Sequence, residues 1–217
     1  MKWRQYGRNA ILVKFAESPD EWAFHKCRAM SRALSQKAPA TVIEFVPGYT
    51  TMLIEFDLSG ADPLEKLAGE TITFLEEHGR KKVPLGPLHK IPVKYDGPDL
   101  ARVAKHNGIS EERVVKFHTA PVYKVHLLGF APGFPYLGEL HHKLRTPRLD
   151  APRPKVSAGS VAIGGEHTGV YPVDSPGGWN IIGRTNVKIF DPMRAVAPQE
   201  EDAFLLKPGD QVQFVSI

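Results

Sequence analysis

The sequence predicts an α+β protein with two domains, a small open sheet with helices on one face and then a β-barrel or sandwich. Residues 10–79 follow the order strand, helix, strand, strand, helix, which usually gives an open sheet with helices on one face. Residues 121–217 instead hold short β-branched and aromatic runs between turn signals, a pattern typical of barrels and sandwiches. A basic stretch punctuated by Pro and Gly separates the two parts, and we interpret it as a linker. The predicted domains are therefore residues 1–86 and 87–217.

The first domain has clear boundaries between its predicted elements. The predicted strands are 10–15, 41–46 and 51–57, and the predicted helices are 19–36 and 63–78. Both helices carry apolar residues at spacings of three and four, which gives each of them one apolar face. Asp62 is the expected cap of the second helix with Pro63 at its first position, and Gly79 is expected to end it.

The second domain begins with a strand at residues 89–95, which we expect at a sheet edge because Pro92 lacks a backbone donor. Two short helices follow, the first ended by Gly108 and the second capped by Ser110. The run at 121–130 is the strongest strand signal, and its alternation places Tyr123, Val125 and Leu127 on one face. Further short strands are predicted at 160–163, 169–173, 179–182, 187–190 and 211–217.

The composition predicts a soluble protein of a reducing, cytoplasmic compartment. The chain has 217 residues, of which 42% are hydrophobic and 24% charged, as in ordinary globular proteins. A single cysteine, Cys27, excludes an internal disulfide and is expected to be buried. No apolar run is long enough for a signal peptide or a membrane span. The net charge is +4, and apart from residues 80–82 the cations are scattered, so we expect neither a nucleic acid nor a membrane as partner.

No local motif of a familiar enzyme mechanism is present. The sequence lacks a phosphate loop, a His-Glu-x-x-His pair and a Gly-x-Ser-x-Gly elbow. The glycines of GGEHTG, residues 164–169, are not followed by a helix signal, and we interpret the segment as a tight turn between strands. No metal site is predicted.

The stretch from residue 127 to 192 is unusually rich in Gly and Pro yet contains many aromatic and aliphatic anchors. Such a composition favours loops held in fixed backbone shapes, which is how surface sites are commonly built. Four arginines lie inside it: Arg145, Arg148, Arg153 and Arg184. They would form a clamp for a carboxylate or phosphate, or else they pair with the acidic residues nearby.

Other residues of this region have two interpretations each. His118 lies between a helix and the strongest strand, where it would transfer a proton near neutral pH or fill a structural position between domains. The backbones of SAG (157–159) and SPGG (175–178) would present N–H donors to an oxyanion. Trp179 would wall such a pocket or simply pack.

Four motifs of this stretch resemble the 5-oxoprolinase B subunit family, also called KipI or allophanate hydrolase subunit 1. They are GFAPGFPYLGEL, TPRLDAPRPKVSAGSVAIGG, HTGVYPVDSPGGWNIIGRT and IFDP. Residues 42–57 and 91–119 are similar to the family's N-terminal hairpin and to the beginning of its second domain, so the resemblance covers nearly the whole chain. It implies an N-terminal α/β domain and a C-terminal cyclophilin-like β-barrel.

The resemblance also implies a function. The chain would be a subunit of an ATP-dependent enzyme that opens 5-oxo-L-proline to L-glutamate together with A-type and C-type partner subunits. The resemblance implies that the site lies between this chain and its partner. Because the chain has no recognisable nucleotide motif, ATP is expected at a partner or at a composite surface. Alternatives are an inhibitor of a sensor histidine kinase and an accessory subunit for urea-like substrates. A second copy of this chain, forming a homodimer, is a further possible partner.

The candidate residues match the family motifs, and their roles are our interpretation. The candidate catalytic residues are His118, Arg148, Arg153 and Arg184. The candidate substrate-binding residues are Tyr136, Ser157, Gly159, His167, Ser175, Gly177, Gly178 and Trp179. At position 167 this chain has His where the family commonly has Gln, which adds a titratable group and leaves the substrate open.

Overall fold

A computed structural model of the chain describes residues 1–60, 62–194 and 203–217. The chain divides into two compact units, Met1–Pro84 and Leu85–Ile217. Each unit has its own hydrophobic core.

The first unit is an open four-stranded antiparallel sheet with two helices on one face. Its elements are β1 Lys2–Tyr6, β2 Ala10–Lys14, α1 Glu21–Lys37, β3 Val42–Pro47, β4 Thr51–Phe56 and α2 Leu64–His78. The strand order is β1-β2-β4-β3. Alternate residues of the central strands, such as Ile11, Val13 and Ile54, are fully buried against the helices, which confirms the predicted open sheet. Cys27 on α1 is buried in the same core, as predicted.

The helix ends of the first unit follow the sequence signals with one exception. Asp20 caps α1, its side chain accepting a hydrogen bond from the Ala23 N–H at 2.8 Å. At α2 the capping residue is Pro63 and no side-chain cap forms. The prediction that Asp62 caps this helix was therefore wrong, because its carboxylate pairs with Lys66 at 2.8 Å instead.

Strand β1 was not predicted. Its sequence, KWRQY, has no apolar alternation, and all five residues are exposed. It pairs with β2 around a turn in which Gly7 has a φ of 67°. This strand forms because it pairs with a sheet edge and not because it buries side chains. The hydrophobic pattern of the sequence therefore does not predict it.

The second unit is a nearly closed barrel with two helices. Its elements are β5 Leu88–Val93, α3 Leu100–Asn107, α4 Glu111–Thr119, β6 Tyr123–Leu128, β7 Pro135–Gly138, β8 Arg153–Val156, β9 Ser160–Gly164, β10 His167–Val170, β11 Ser175–Gly177, β12 Asn180–Arg184 and β13 Gln211–Ser216. Seven strands form one mixed sheet in the order β12-β9-β10-β7-β6-β13-β5, while β8 and β11 pair separately. Reciprocal backbone hydrogen bonds of 2.9 Å between Lys94 and Arg184 join the two ends of this sheet. The predicted edge position of β5 and the predicted helix boundaries at Gly108 and Ser110 are confirmed.

Three sequence expectations differ from the observed barrel. The segment 187–190 is not a strand in the described residues, and only Phe190 makes a bridge, to Phe204. The short strands β7, β8 and β11 were missed because they are rich in Gly and Pro. The register of β6 shifts between Val125 and Leu127, so Leu128 packs against the core where strict alternation predicts Leu127.

His118 lies in the core of the second unit with no exposed surface. Its Nδ1 is 2.6 Å from the Tyr95 hydroxyl, and its Nε2 is 2.8 Å from Thr168 Oγ1. The Thr168 hydroxyl donates its only hydrogen to the Ala162 carbonyl, so His118 donates from Nε2 and accepts at Nδ1. This neutral, satisfied ring has no access to a ligand. The structure therefore contradicts the prediction that His118 is a catalytic proton carrier. The residue has a structural role, but within the second unit and not between domains, because both of its hydrogen-bond partners belong to that unit.

Burial lowers the pKa of His118 to about 3. In the unfolded chain the ring titrates near its ordinary value of about 6.5, so protons bind the unfolded state preferentially below that pH. We therefore expect the free energy of unfolding to fall as the pH drops from about 6.5 towards 3, by up to about 1.4 kcal/mol per pH unit from this group. Urea denaturation of the wild type and of His118→Gln across this range measures the contribution.

The decisive quantity is the slope against pH, because His118→Gln also changes the stability at neutral pH. The variant should have a shallower acid slope than the wild type. His106→Gln, at an exposed position on α3, should retain the wild-type slope. Equal slopes in all three proteins would contradict the assignment.

Candidate functional site

The most distinctive feature of the second unit is a cluster of aromatic side chains beside the barrel sheet. Phe134 is at its centre and is almost fully buried. Its ring centroid is 5.2 Å from that of Tyr171 and 5.3 Å from those of Trp179 and Tyr136, all in edge-to-face geometry. This is the arrangement that aromatic quadrupoles favour, so the rings hold one another in fixed orientations.

Glycines give these rings the space they occupy. A Cβ at Gly164 would lie 2.5 Å from the Trp179 ring, and one at Gly177 would lie 2.3 Å from the Tyr171 hydroxyl. The glycines of the motifs are therefore needed for close approach of rings to backbone. Gly177 and Trp179, both predicted site residues, are in this cluster.

The exposed side of the cluster forms a small cleft with a volume of about 70 Å³. Its lining residues are Phe130, Phe134, Tyr136, Arg148, Tyr171, Gly177, Gly178 and Trp179. Five of these eight were predicted as site residues, which are Tyr136, Arg148, Gly177, Gly178 and Trp179. The cleft is largely aromatic with one cation at its rim, and such a cleft suits a small, ring-containing anion.

Arg148 is the cation of the cleft. Its guanidinium carbon is 5.9 Å from the centroid of the Trp179 ring, a distance at which a cation and the ring face attract each other. The loop that carries it is fixed on both sides of the arginine. The Asn180 side chain donates to the Pro147 carbonyl at 3.0 Å, and the Leu149 N–H donates to the Gly178 carbonyl at 2.7 Å.

Phe130 forms the outer rim of the cleft and has a strained backbone. Its φ is 72°, in the left-handed region that residues other than Gly, Asn and Asp rarely adopt, and its side chain is 63% exposed. Backbone strain of this kind is concentrated at functional sites. Phe130 is thus a candidate contact for whatever covers the cleft.

His167 lies next to the cleft on β10, with its ring centroid 6.1 Å from that of Tyr136. Burial is the main cause that lowers its pKa below the usual value, and the charges of Arg148 and Arg145 add to this effect. Glu166 acts in the opposite direction. The ring is therefore mainly neutral at pH 7 and can accept a proton.

Arg153 lies outside the cleft lining, and its guanidinium is held by an ion pair with Asp99. Its Nη2 donates to Asp99 at 2.8 Å, and the second carboxylate oxygen of Asp99 accepts the Ile181 N–H at 2.7 Å. Its charge, together with that of Arg148, acts on the Tyr171 hydroxyl, whose pKa is nevertheless raised by burial. Arg153 therefore contributes positive potential to the cleft while it remains in an ion pair.

Two groups of predicted site residues lie elsewhere. Arg184 is exposed where the barrel closes and pairs with Asp96 at 2.8 Å, outside the cleft lining. The backbone donors of the SAG turn are occupied: the Ala158 N–H by Asp174 at 2.9 Å and the Gly159 N–H by the Tyr171 carbonyl at 2.8 Å. The backbone donors of this turn are therefore not available to an oxyanion, whereas Arg184, in an exposed ion pair outside the cleft lining, stays a prediction.

The two predicted serines also lie outside the cleft lining. Ser157 is exposed in the same turn, and its carbonyl accepts the Ser160 N–H at 3.2 Å. Ser175 is half-buried at the start of β11, opposite Val156 of β8.

Sequence reasoning missed two supporting residues, Asp99 and Asn180. Both are buried polar residues, and each connects several segments that are distant in the sequence. Asp99 precedes a helix, so its sequence context indicates an ordinary cap. No local signal shows that its carboxylate instead holds Arg153 and β12.

Comparison with known proteins gives the family. Residues 1–199 match the family described as carboxyltransferase domain, subdomain C and D. The chain is 36% identical to the 5-oxoprolinase B subunit of Bacillus subtilis over 98% of its own length and 91% of that protein. It is 45% identical to the 5-oxoprolinase B subunit of Escherichia coli O157:H7 over 80% of its length and 78% of that protein. The chain belongs to the 5-oxoprolinase B subunit family.

Solved structures agree with the fold of this family member. The structure of TTHA0988 superimposes with a TM-score of 0.83 at 37% identity over 96% of this chain, which spans 40% of that longer protein. PH0987 from Pyrococcus horikoshii gives a TM-score of 0.55 at 34% identity, covering 97% of that protein. Urea amidolyase of K. lactis, at 22% identity and a TM-score of 0.78, shares the fold.

The described part of this 5-oxoprolinase family member contains no candidate membrane span and no candidate metal-binding cluster. No helix within residues 1–60, 62–194 and 203–217 is long and apolar enough to cross a membrane. No group of three or more His, Cys, Asp or Glu side chains among the same residues is placed to hold a metal ion.

The contact between Gly164 and Trp179 predicts a clear effect of one added methyl group. Gly164→Ala should destabilise the second unit by about 1–3 kcal/mol, because the ring or the strand must move to relieve the overlap. The near-ultraviolet circular dichroism should fall as well, since the aromatic rings lose their fixed orientation. Gly129→Ala is the matched control, because the nearest atom to its added Cβ is Leu127 Cδ1 at 3.5 Å. Similar losses in both variants would contradict this packing role.

The proximity of Arg148 to His167 predicts a shift in the titration of the histidine. Removal of a positive charge favours the imidazolium, so Arg148→Gln should raise the pKa of His167 towards its ordinary value. The change should be partial, because burial is the larger cause. An NMR titration of the imidazole protons measures it, with Arg113→Gln on α4 as the control. An unchanged His167 pKa in Arg148→Gln would show that the two groups do not interact.

Proposed function

We propose that this chain is the B subunit of an ATP-dependent 5-oxoprolinase. In this role it hydrolyses 5-oxo-L-proline to L-glutamate only together with A-type and C-type partner subunits. The names of its relatives in Bacillus subtilis and Escherichia coli support the reaction, and the word subunit in those names supports the need for partners. The resemblance to urea amidolyase is at the level of the fold and does not favour urea as the substrate.

The single observation that carries this proposal is the form of the cleft. Its volume of about 70 Å³ is well below the roughly 300 Å³ at which ligand pockets usually begin. The cleft nevertheless has an aromatic wall, an arginine at its rim and an exposed Phe130 on a strained backbone. Such a cleft is half of a site, which a partner surface over Phe130 would complete.

The substrate has chemical features that match these groups. 5-Oxo-L-proline is a five-membered lactam with one carboxylate. In the proposed complex Arg148 binds the carboxylate, and the rings of Trp179 and Tyr136 pack against the lactam. His167, neutral at pH 7, accepts the proton of the water that attacks the lactam carbonyl, and Arg153 adds positive potential to the cleft.

The glycine-rich segment GGEHTG does not have the form of a phosphate-binding loop. The turn at 165–166 leads into strand β10, where a phosphate loop would lead into a helix, and the Gly165 N–H donates to the Thr146 carbonyl at 2.9 Å. In this proposal a partner subunit holds the nucleotide.

The proposal predicts a specific kinetic defect. In a mixture of the three subunits, Arg148→Gln should raise KM for 5-oxo-L-proline about 10- to 100-fold, because a charge-assisted hydrogen bond to the substrate is lost. The value of kcat should change less. Glutamate release in the presence of ATP is the assay, and the chain alone should show none.

Arg113→Gln on α4, outside the cleft lining, is the matched control and should leave both constants unchanged. If the wild-type mixture released no glutamate, the proposed reaction would be refuted. If Arg148→Gln behaved like the control, the reaction would stand and the assignment of Arg148 would fall.

A further inference from the structure

A long basic furrow runs along the outer side of the two helices of the first unit. It consists of two adjoining grooves, of about 470 and 520 Å³, which share Ala29, Lys81 and Lys82. We call this surface the helix furrow. It lies within residues 1–84 and has no part in the aromatic cleft or in the function proposed above.

One face of α1 lines the furrow over nearly its whole length. The lining residues of α1 include Trp22, Lys26, Ala29, Ala33 and Lys37, at helical spacings of three and four. At 1.5 Å per residue this stripe is about 22 Å long. Ala29 and Ala33 are buried and form a recessed floor, while the longer side chains form the rim.

The furrow has a strong excess of positive charge. Its lysines and arginines are Lys26, Arg32, Lys37, Arg80, Lys81 and Lys82. The lining contains two glutamates, Glu21 and Glu77, and so has an excess of four positive charges. This equals the formal net charge of +4 of the whole chain, so the remainder of the chain is balanced.

None of these cations has a carboxylate partner among the described residues, unlike some other surface cations. Lys66 pairs with Asp62 at 2.8 Å and Lys155 pairs with Asp174 at 2.8 Å. Among the described residues, no ion pair involves any of the six furrow cations. Like charges held close together repel one another, and an anionic occupant would relieve that repulsion.

We propose that the helix furrow binds an acidic segment of a partner protein. A segment of about 15 residues in a helix spans the same 22 Å or so and would place its carboxylates against both rims. Its small or apolar side chains would rest on the alanine floor. Trp22, which is 59% exposed at one end of the furrow, would supply an aromatic contact for the end of the segment.

Two other anionic partners fit the furrow less well. A single-stranded nucleic acid needs a row of exposed rings on which its bases stack. Apart from Trp22, the rings in the lining are His25, Phe74 and His78, and Phe74 is half-buried and stacked on His78 with centroids 4.4 Å apart. A membrane surface is broad, so it would touch the rims and leave the recessed floor unused.

The test uses the full chain and a fluorescein-labelled helical peptide of about 15 residues, rich in glutamate and alanine. Fluorescence anisotropy should show binding that is at least about tenfold tighter than that of the same peptide with glutamine in place of glutamate. Lys81→Glu/Lys82→Glu should weaken binding about tenfold or more. Gln36→Glu, an exposed lining position, should weaken it by about twofold to fivefold.

The matched control is Lys105→Glu/Lys116→Glu, which makes the same change in net charge on the exposed surfaces of α3 and α4. It should change the affinity less than about twofold. NMR should show that the peptide shifts the amide signals of Ala29 and Ala33, on the floor, and leaves those of residues 85–217 in place.

Several results would overturn the proposal. One is equal binding of the glutamate and glutamine peptides, and another is an equal loss of affinity in the furrow variant and its control. A third is displacement of the peptide by an oligothymidylate or by phosphatidylserine vesicles at lower concentrations than by the unlabelled acidic peptide. Peptide-induced shifts confined to residues 85–217 would also refute it.

Discussion

The packing of the Trp179 ring against the bare backbone of Gly164 is the constraint on which the candidate site depends. The ring occupies the space that a side chain on β9 would fill, so the strand and the indole are fixed relative to each other. Phe134 then contacts the indole edge-on, and Arg148 lies over its face. A motif rich in Gly and Pro is therefore a rigid aromatic wall, which agrees with the fixed loops expected from its composition.

Ion pairing within the chain distinguishes the arginines of the motif region from one another. Arg145 pairs with Glu166 and Arg184 pairs with Asp96, both at the surface. Arg153 is held by the buried Asp99, so its position is fixed but part of its donor capacity is used. Arg148 differs from these, since its neighbour in the cleft is an aromatic ring. The four arginines of this stretch thus have three kinds of environment.

The sequence predicted the parts of this structure that depend on local chemistry. The amphipathic helices, the Ser110 cap and the left-handed Gly108 follow from residue type and spacing, and they were placed correctly. Much of the aromatic cleft was also anticipated, although through the family resemblance. What could not be predicted depends on distant partners. The burial of His118 requires Tyr95 and Thr168 on both sides, and β1 exists only because β2 offers it an edge.

The pairing of β13 with β5 has a consequence for the biosynthesis of the barrel. The two strands run parallel, with Leu88 opposite Gln211, and β13 also pairs with β6. During translation β5 and β6 leave the ribosome long before the strand that must lie between them. Until β13 arrives, both present unsatisfied edges, and non-local pairings of this kind form slowly. The nascent barrel is therefore open and prone to aggregate, so we expect it to need protection by chaperones until its synthesis is nearly complete.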